Sequence, residues 1–201
     1  MKALILVDIQ NDFLPGGALA VPFGNEILPV VNTIQNKFDL VVASQDWHPE
    51  DHASFASNYK NKVPFDVISL GETQQVLWPD HCIQGSDGAA FSKDLKTENI
   101  SAIFRKGMNK NIDSYSAFFD NDYSQHTGLE AYLKSMDITD VYVCGLAADY
   151  CVYFTAKDAK QTGFNTYYIT DATRYIDEDS FKSALKDLKE NGVHLVTSVE
   201  I

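Results

Sequence analysis

The chain has 201 residues, of which 45% are hydrophobic, and its 28 acidic residues exceed its 16 basic residues to give a net charge of −12. This length and composition fit one compact domain, which we assign to residues 1–201. The acidic balance argues against nucleic acid or an anionic membrane as a partner.

The cysteines and the first residues indicate the compartment. Residues 1–5 run straight into a strand pattern and leave no room for a signal peptide, and no apolar run approaches the ~20 residues that span a bilayer. We therefore expect a cytoplasmic protein. Cys82, Cys144 and Cys151 are an odd number, which favours a free thiol over a disulfide framework. We interpret Cys144, inside an apolar run, as an inert buried thiol and Cys82 as a bystander. The sequence leaves a homo-oligomer open.

Short apolar, β-branched runs alternate with amphipathic helix patterns along the chain. The strand-like runs lie at 3–7, 40–44, 100–104, 141–145, 166–170 and 193–197. The helix patterns lie at 27–34, 129–136, 152–159 and 181–188, and Gly163 suits the residue just after the third helix. This alternation predicts an α/β fold, a three-layer αβα sandwich with a six-stranded parallel sheet, although the strand order does not follow from it.

The connection between the second and third strands is unusually long, at about 55 residues. Such connections in compact domains are usually functional or disordered. Its aromatic residues and the Trp78-Pro79 pair argue against disorder. The part from Asn58 to Gln75 shows no recognisable pattern.

Three of the strand-like runs end near residues that can do chemistry. The first ends on Asp8, the third on Lys106, and the fourth opens a turn that leads to Cys151. Because active sites in parallel α/β sheets lie outside the carboxyl ends of the strands, we expect these side chains to meet. An acid, an ammonium group and a thiol together form an activated cysteine nucleophile.

Cys151 is predicted to be the nucleophile of this set. It falls in the first turn of a helix predicted to begin near Asp149, where the helix dipole favours negative charge. With Lys106 nearby, we expect the pKa of the thiol to be lowered, and Asp8 to accept its proton. Taken singly, each residue has an ordinary structural interpretation, and the joint placement favours catalysis.

A metal site is predicted after the second strand. Asp46 and His48 are two residues apart, so at the end of an extended strand both side chains point to the same side. His81 provides a third ligand across the long connection. Three protein ligands with an open position are typical of a working metal site. The donors suit one divalent metal ion, with zinc first and manganese or iron as alternatives. His52 and Ser54 could add ligands, but we favour a role for His52 in stabilising the loop.

Seven stretches of the chain resemble the isochorismatase-like cysteine hydrolases, and among them the nicotinamidases. These stretches occur in the family's order and cover most of the chain. They are Val7–Phe13, Ser44–Pro49, His52–Ala56, Leu77–Cys82, Phe104–Gly107, Asp113–Phe118 and Cys144–Val152. One departure is Ala117, where many relatives carry glycine.

The resemblance implies a role for each matching residue. Asp8, Lys106 and Cys151 match the family's triad, and Asp46, His48 and His81 match its metal ligands. A flat pocket for a pyridine ring is implied by four aromatic residues, Phe13, Trp78, Tyr115 and Tyr150. A cis peptide bond is implied at Leu146–Ala147, where it would aim the N–H of Ala147, with that of Cys151, into an oxyanion hole.

The implied reaction is hydrolysis of nicotinamide to nicotinate and ammonia through a thioester, with pyrazinamide as a further substrate. One alternative keeps the fold and takes a carbamoyl compound or a vinyl ether as substrate. In another, the metal activates water and Cys151 only fills space. A non-catalytic thiol or metal sensor is the alternative from a different class, and only Cys82 beside His81 favours it.

Overall fold

The fold is seen in a computed structural model, which describes residues 1–70 and 73–201. The strands are β1 (Lys2–Val7), β2 (Leu40–Asp46), β3 (Val67–Leu70), β4 (Thr73–Val76), β5 (Ala102–Lys106), β6 (Asp140–Gly145), β7 (Asn165–Thr173) and β8 (His194–Val196). Six of them form one parallel sheet in the order β5-β2-β1-β6-β7-β8, and β3 and β4 form a separate antiparallel hairpin. The predicted six-stranded parallel sheet is confirmed.

The direction of strand addition reverses at the centre of the sheet. From β1 the chain builds outward through β2 to β5, and then returns to add β6, β7 and β8 on the other side. The crevice outside the carboxyl ends of β1 and β6 is therefore the topological switch point, where ligands bind in open α/β sheets. Residues 3–7 of β1 are all buried, as expected for a central strand that is covered on both faces.

Helices cover both faces of the sheet. The helices are α1 (Leu28–Ile34), α2 (Leu129–Ser135), α3 (Cys151–Gln161) and α4 (Glu178–Glu190). The buried side chains of α1 join one hydrophobic core and those of the other three helices join a second core on the opposite face, which gives the predicted three layers. Helix α3 begins at Cys151, two residues after the predicted start near Asp149. Gly163 follows the helix with a φ of +97°.

The hairpin is the part of the fold that was not predicted. It lies within the patternless segment from Asn58 to Gln75, of which residues 71 and 72 fall outside the described residues. Among the described residues, no helix is long and apolar enough to cross a membrane.

Candidate active site

The three predicted catalytic residues meet at the switch point. Asp8 directly follows β1 with a φ of +47°, an uncommon conformation for a side-chain-bearing residue. Lys106 ends β5, and Cys151 begins α3 after the turn that leaves β6. Ligand atoms of Asp8, Cys151 and Asp46 all lie within 4.8 Å of one another, and all are buried. The structure thus brings the predicted residues together, and their catalytic roles stay a prediction.

Lys106 is the centre of the cluster. Its Nζ lies 2.9 Å from Oδ2 of Asp8 and 2.6 Å from Oδ1 of Asp46. It also donates to the carbonyl of Ser114 at 2.8 Å and contacts Sγ of Cys151 at 3.5 Å. Burial lowers the pKa of Lys106, but the carboxylates of Asp46 and Asp8 outweigh it and raise the pKa well above its usual value. Lys106 is thus a fixed positive charge.

The two oxygens of the Asp8 carboxylate have different surroundings. Oδ1 accepts a hydrogen bond from the hydroxyl of Ser44 at 2.7 Å. Oδ2 lies 2.9 Å from Nζ of Lys106, which also donates to Asp46, Ser114 and Cys151. Burial raises the pKa of Asp8, although Lys106 opposes this shift. The carboxylate next to the thiol can accept its proton.

The predicted lowering of the thiol pKa is wrong. Burial raises the pKa of Cys151 well above its usual value, and Lys106 only partly opposes this shift. The physical reason is that the charge of Lys106 is already compensated by Asp8 and Asp46, whose own charges disfavour a thiolate. The first turn of α3 does not overcome these effects. The side chain of Cys151 is therefore a thiol at rest, and a reaction at its sulfur would need a base.

The three predicted metal ligands also come together. Nε2 of His48 lies 3.4 Å from Oδ2 of Asp46, and Nε2 of His81 lies 3.7 Å from the same oxygen. Burial raises the pKa of Asp46, but the charges of Lys106 and His48 hold it well below its usual range, so the group stays anionic. The second strand and the long connection thus build one group of ligands, as predicted.

The surroundings of the two histidines fit a divalent cation. Nδ1 of His48 lies 2.9 Å from the carbonyl of Gly107, and Nδ1 of His81 lies 2.7 Å from the carbonyl of Pro79. A carbonyl only accepts, so each ring carries a proton on Nδ1 and directs Nε2 towards Asp46. Burial lowers the pKa of His48, but the charge of Asp46 outweighs this effect and raises the pKa, so a cation bound there would displace a proton from its Nε2. Carbonyl partners of this kind orient histidine ligands in metalloproteins. Close packing fixes the ring of His48, because a Cβ on Gly107 would lie 2.3 Å from its Cε1.

His52 stabilises the loop, the role that the sequence favoured. Its Nδ1 receives the N–H of Ser54 at 3.2 Å and contacts the Ser54 hydroxyl at 2.7 Å. Its Nε2 lies 3.3 Å from the carbonyl of Ile112. Burial and the neighbouring His48 lower the pKa of His52 to about 4, so it is neutral. With both nitrogens engaged, His52 and Ser54 form part of the loop framework.

The four predicted aromatic residues line one small cavity with Cys151 and His81. Trp78 contacts Tyr150 edge to face at 4.9 Å and donates its indole N–H to the hydroxyl of Tyr115 at 3.3 Å. Phe13 lies edge to face with His81. The cavity thus places flat apolar walls between the thiol and the metal ligands, as a small aromatic substrate requires.

The turn before α3 contains the cis peptide bond that the family resemblance implied, at Leu146–Ala147. Among the described residues, neither the N–H of Ala147 nor that of Cys151 donates a backbone hydrogen bond. Ala147 also lines the cavity. Its place in an oxyanion hole with the N–H of Cys151 stays a prediction.

Several residues of the site were not predicted. Leu19, Ile176 and Asp113 line the cavity, Ser44 holds Asp8, and Gln75 of β4 reaches Asp113. Ser44 faces the same carboxyl end of the sheet as Asp46 of the same strand, which is a signal that the sequence carried. For Leu19, Ile176 and Gln75 the sequence carried no such signal, because loop packing alone brings them to the cavity.

Comparison with known proteins gives the family. The isochorismatase domain family matches residues 2–200, and the chain belongs to this family. A nicotinamidase of Acinetobacter baylyi is 46% identical over 200 residues, which cover 99% of this chain and 94% of the relative.

Solved structures extend the comparison. A nicotinamidase pyrazinamidase of Acinetobacter baumanii is 46% identical with a TM-score of 0.97, and the match covers 99% of this chain and 97% of the other. The protein PnC1 of L. infantum, in complex with nicotinate, is 39% identical with a TM-score of 0.88 over 99% and 93%. A pyrazinamidase of Pyrococcus horikoshii, in complex with zinc, is 38% identical with a TM-score of 0.81 over 98% of each chain.

Proposed function

We propose that this chain is a nicotinamidase, which hydrolyses nicotinamide to nicotinate and ammonia and also deamidates pyrazinamide. The observation that carries the proposal is the contact of Lys106 with Cys151, Asp8 and the ligand Asp46 in one buried cluster beside an aromatic cavity. The similarity to nicotinamidases over nearly the whole chain, and to a structure that holds nicotinate, supports this choice of substrate.

In the first half of the reaction Cys151 attacks the amide carbon. Because the pKa of the thiol is raised, the proton leaves Sγ only as the new S–C bond forms, and Oδ2 of Asp8 receives it. The carbonyl oxygen gains negative charge, which the N–H groups of Ala147 and Cys151 stabilise. Asp8 then returns the proton to the amide nitrogen, and ammonia leaves a thioester on Sγ.

In the second half water hydrolyses the thioester. Asp8, again ionised, takes one proton from the attacking water and returns it to Sγ as the C–S bond breaks. The other proton of the water goes to solvent, and the product leaves as nicotinate. Lys106 keeps its proton throughout and stabilises negative charge on Asp8. The aromatic walls hold the pyridine ring in the orientation that places its amide carbon over Sγ.

We further propose that Asp46, His48 and His81 hold one zinc ion through Oδ2 and the two Nε2 atoms. A bound divalent cation would supply a Lewis acid for the ring nitrogen of the substrate. The convergence of the two Nε2 atoms on Oδ2 of Asp46, the carbonyl partners of the two Nδ1 atoms and the similarity to a pyrazinamidase in complex with zinc support this ion. A cytoplasmic location is consistent with three free cysteines.

The decisive experiment measures ammonia release from nicotinamide, from pyrazinamide and from a carbamoyl amino acid. We expect release from both aromatic amides and none from the carbamoyl compound. Cys151→Ala should abolish release, while metal binding measured by calorimetry stays normal, because Cys151 is not among the proposed ligands. Release from the carbamoyl compound alone would contradict the choice of substrate. Full activity of Cys151→Ala would instead favour a metal-activated water as nucleophile.

A further inference from the structure

A second carboxylate lies beside the proposed metal ligands. Asp113 is 4% exposed and lines the same cavity as Asp46 and His81. One of its oxygens and one ring nitrogen each of His48 and His52 all lie within 4.8 Å of one another. The hydrogen bonds of the Asp113 carboxylate within the described part of the chain go to Gln75 and Ser114 and not to either ring, so it can act on a cation near His48 through a water molecule.

Asp113 has hydrogen bonds but no cationic partner. Oδ1 accepts the backbone N–H of Ser114, and Oδ2 accepts the side-chain amide of Gln75, both at 2.8 Å. None of the ion pairs among residues 1–70 and 73–201 includes Asp113. Buried carboxylates are normally paired with a cation or a metal, because an uncompensated buried charge is costly.

The charges of the site explain what Asp113 would compensate. Asp8 and Asp46 are two negative charges around the single positive charge of Lys106. A divalent cation at Asp46, His48 and His81 would leave this buried cluster with an excess of one positive charge. One further carboxylate facing the same cavity restores neutrality.

We propose that Asp113 is the outer carboxylate of the metal site, which compensates the bound divalent cation across a water molecule. This inference rests on the proposed metal site and adds a residue to it. In this role Asp113 increases metal affinity by its charge. Gln75 and Ser114 hold the carboxylate in place, so the β3–β4 hairpin contributes to the metal site through Gln75.

The test compares the affinity of three variants for Zn²⁺ by calorimetric titration of metal-free protein. Asp113→Asn keeps the shape and the acceptor for Ser114 but removes the charge, so we expect affinity to fall by about 10–100-fold, as for other outer partners of metal sites. Asp113→Glu keeps the charge and should retain more affinity than Asp113→Asn. Asp120→Asn is the matched control from the same segment, and its affinity should equal that of the wild type.

Stability of the metal-free proteins separates charge from folding. Without metal, Asp113→Asn should unfold at a midpoint close to that of the wild type, because the removal of a buried charge offsets the loss of the hydrogen bond from Gln75. Equal affinity of Asp113→Asn and wild type, or an equal loss in Asp113→Glu and Asp113→Asn, would overturn the inference. His48→Ala distinguishes the two proposals, because its loss of binding establishes the metal site whatever Asp113 does. A wild-type protein that binds no Zn²⁺ would overturn both.

Discussion

Among single residues, Lys106 makes the contacts that connect the different parts of the site. It joins the thiol, the base and a proposed metal ligand through one nitrogen atom. Because two carboxylates already compensate its charge, Lys106 does not produce a resting thiolate. The protonation state of Asp8 therefore decides whether Cys151 can react, and groups that act on Asp8 become the sensitive positions.

Ser44 is the first such position. Its hydroxyl donates to Asp8, which lowers the pKa of that carboxyl and opposes the upward effect of burial. Ser44→Ala should raise this pKa further, so that Asp8 is protonated, and inactive as a base, up to a higher pH. A hydrogen bond to a charged group contributes about 1.5–3 kcal/mol, or roughly one pH unit or more.

The measurement is the pH profile of kcat/KM for nicotinamide, whose acid limb should move upward in Ser44→Ala. Ser92→Ala is a suitable control, because it removes a buried hydroxyl that bonds only its own loop. If the acid limb does not move in Ser44→Ala, the group whose titration produces that limb is not Asp8.

Gly107 is the second sensitive residue. It has a φ of +66°, and a Cβ there would meet Cε1 of His48 at 2.3 Å and Nδ1 at 2.5 Å. Gly107→Ala should displace the ring and lower metal affinity by about tenfold or more. Gly85→Ala is the matched control, because Gly85 has a φ of +77° and nothing within 4 Å of its Cβ position. Zinc titration of both variants tests this, and equal affinities would contradict it.

At the scale of whole elements, the sequence predicted the strands and helices whose apolar residues form a continuous run or recur at a regular spacing. The six strands and four helices were predicted because buried strands give apolar runs and covering helices give a 3.6-residue repeat. Asp8, Asp46, His48 and Lys106 could be predicted because they stand at or just after the ends of such runs, whereas His81 in the long connection was found from the resemblance and from its residue type. The β3–β4 hairpin was missed, since its strands are short and partly exposed. The raised thiol pKa was missed because burial and charge compensation exist only in the folded site.

Helix α2 illustrates how a short element depends on packing. It has seven residues, the Thr127 hydroxyl accepts the N–H of Leu129 at 3.1 Å, and its buried Leu129 and Leu133 hold it to the sheet. Leu133→Ala should lower the free energy of unfolding by about 2–5 kcal/mol. Zinc affinity should not change, because α2 packs in the core on the far side from α1 and supplies no ligand. Denaturant unfolding measures this, with the exposed Lys134→Ala as a control expected to change little.

Across the whole molecule, the site is assembled from segments that are far apart in sequence. Asp8, Asp46, His81, Lys106 and Cys151 come from five separate segments, and only the closed fold brings them together. Asp46 ends β2 at the start of the longest connection in the chain, and His81 lies in a loop of this connection. An ion held between these loops and the sheet would therefore link the connection to the core, and metal binding should be measurable as stability.

The final prediction concerns this link. A ligand that binds only the folded state at a concentration of 100 times its Kd stabilises it by about 2.7 kcal/mol. For a chain of this size, that corresponds to a shift of roughly 5–10 °C in Tm. Calorimetric scans of the zinc-loaded protein should therefore show a Tm that falls by this amount when a chelator is added. His81→Ala lacks one proposed ligand, so its Tm should respond far less to zinc or chelator. A wild-type Tm that does not respond to the chelator would mean that Asp46, His48 and His81 are held by the fold alone, without a contribution from the ion.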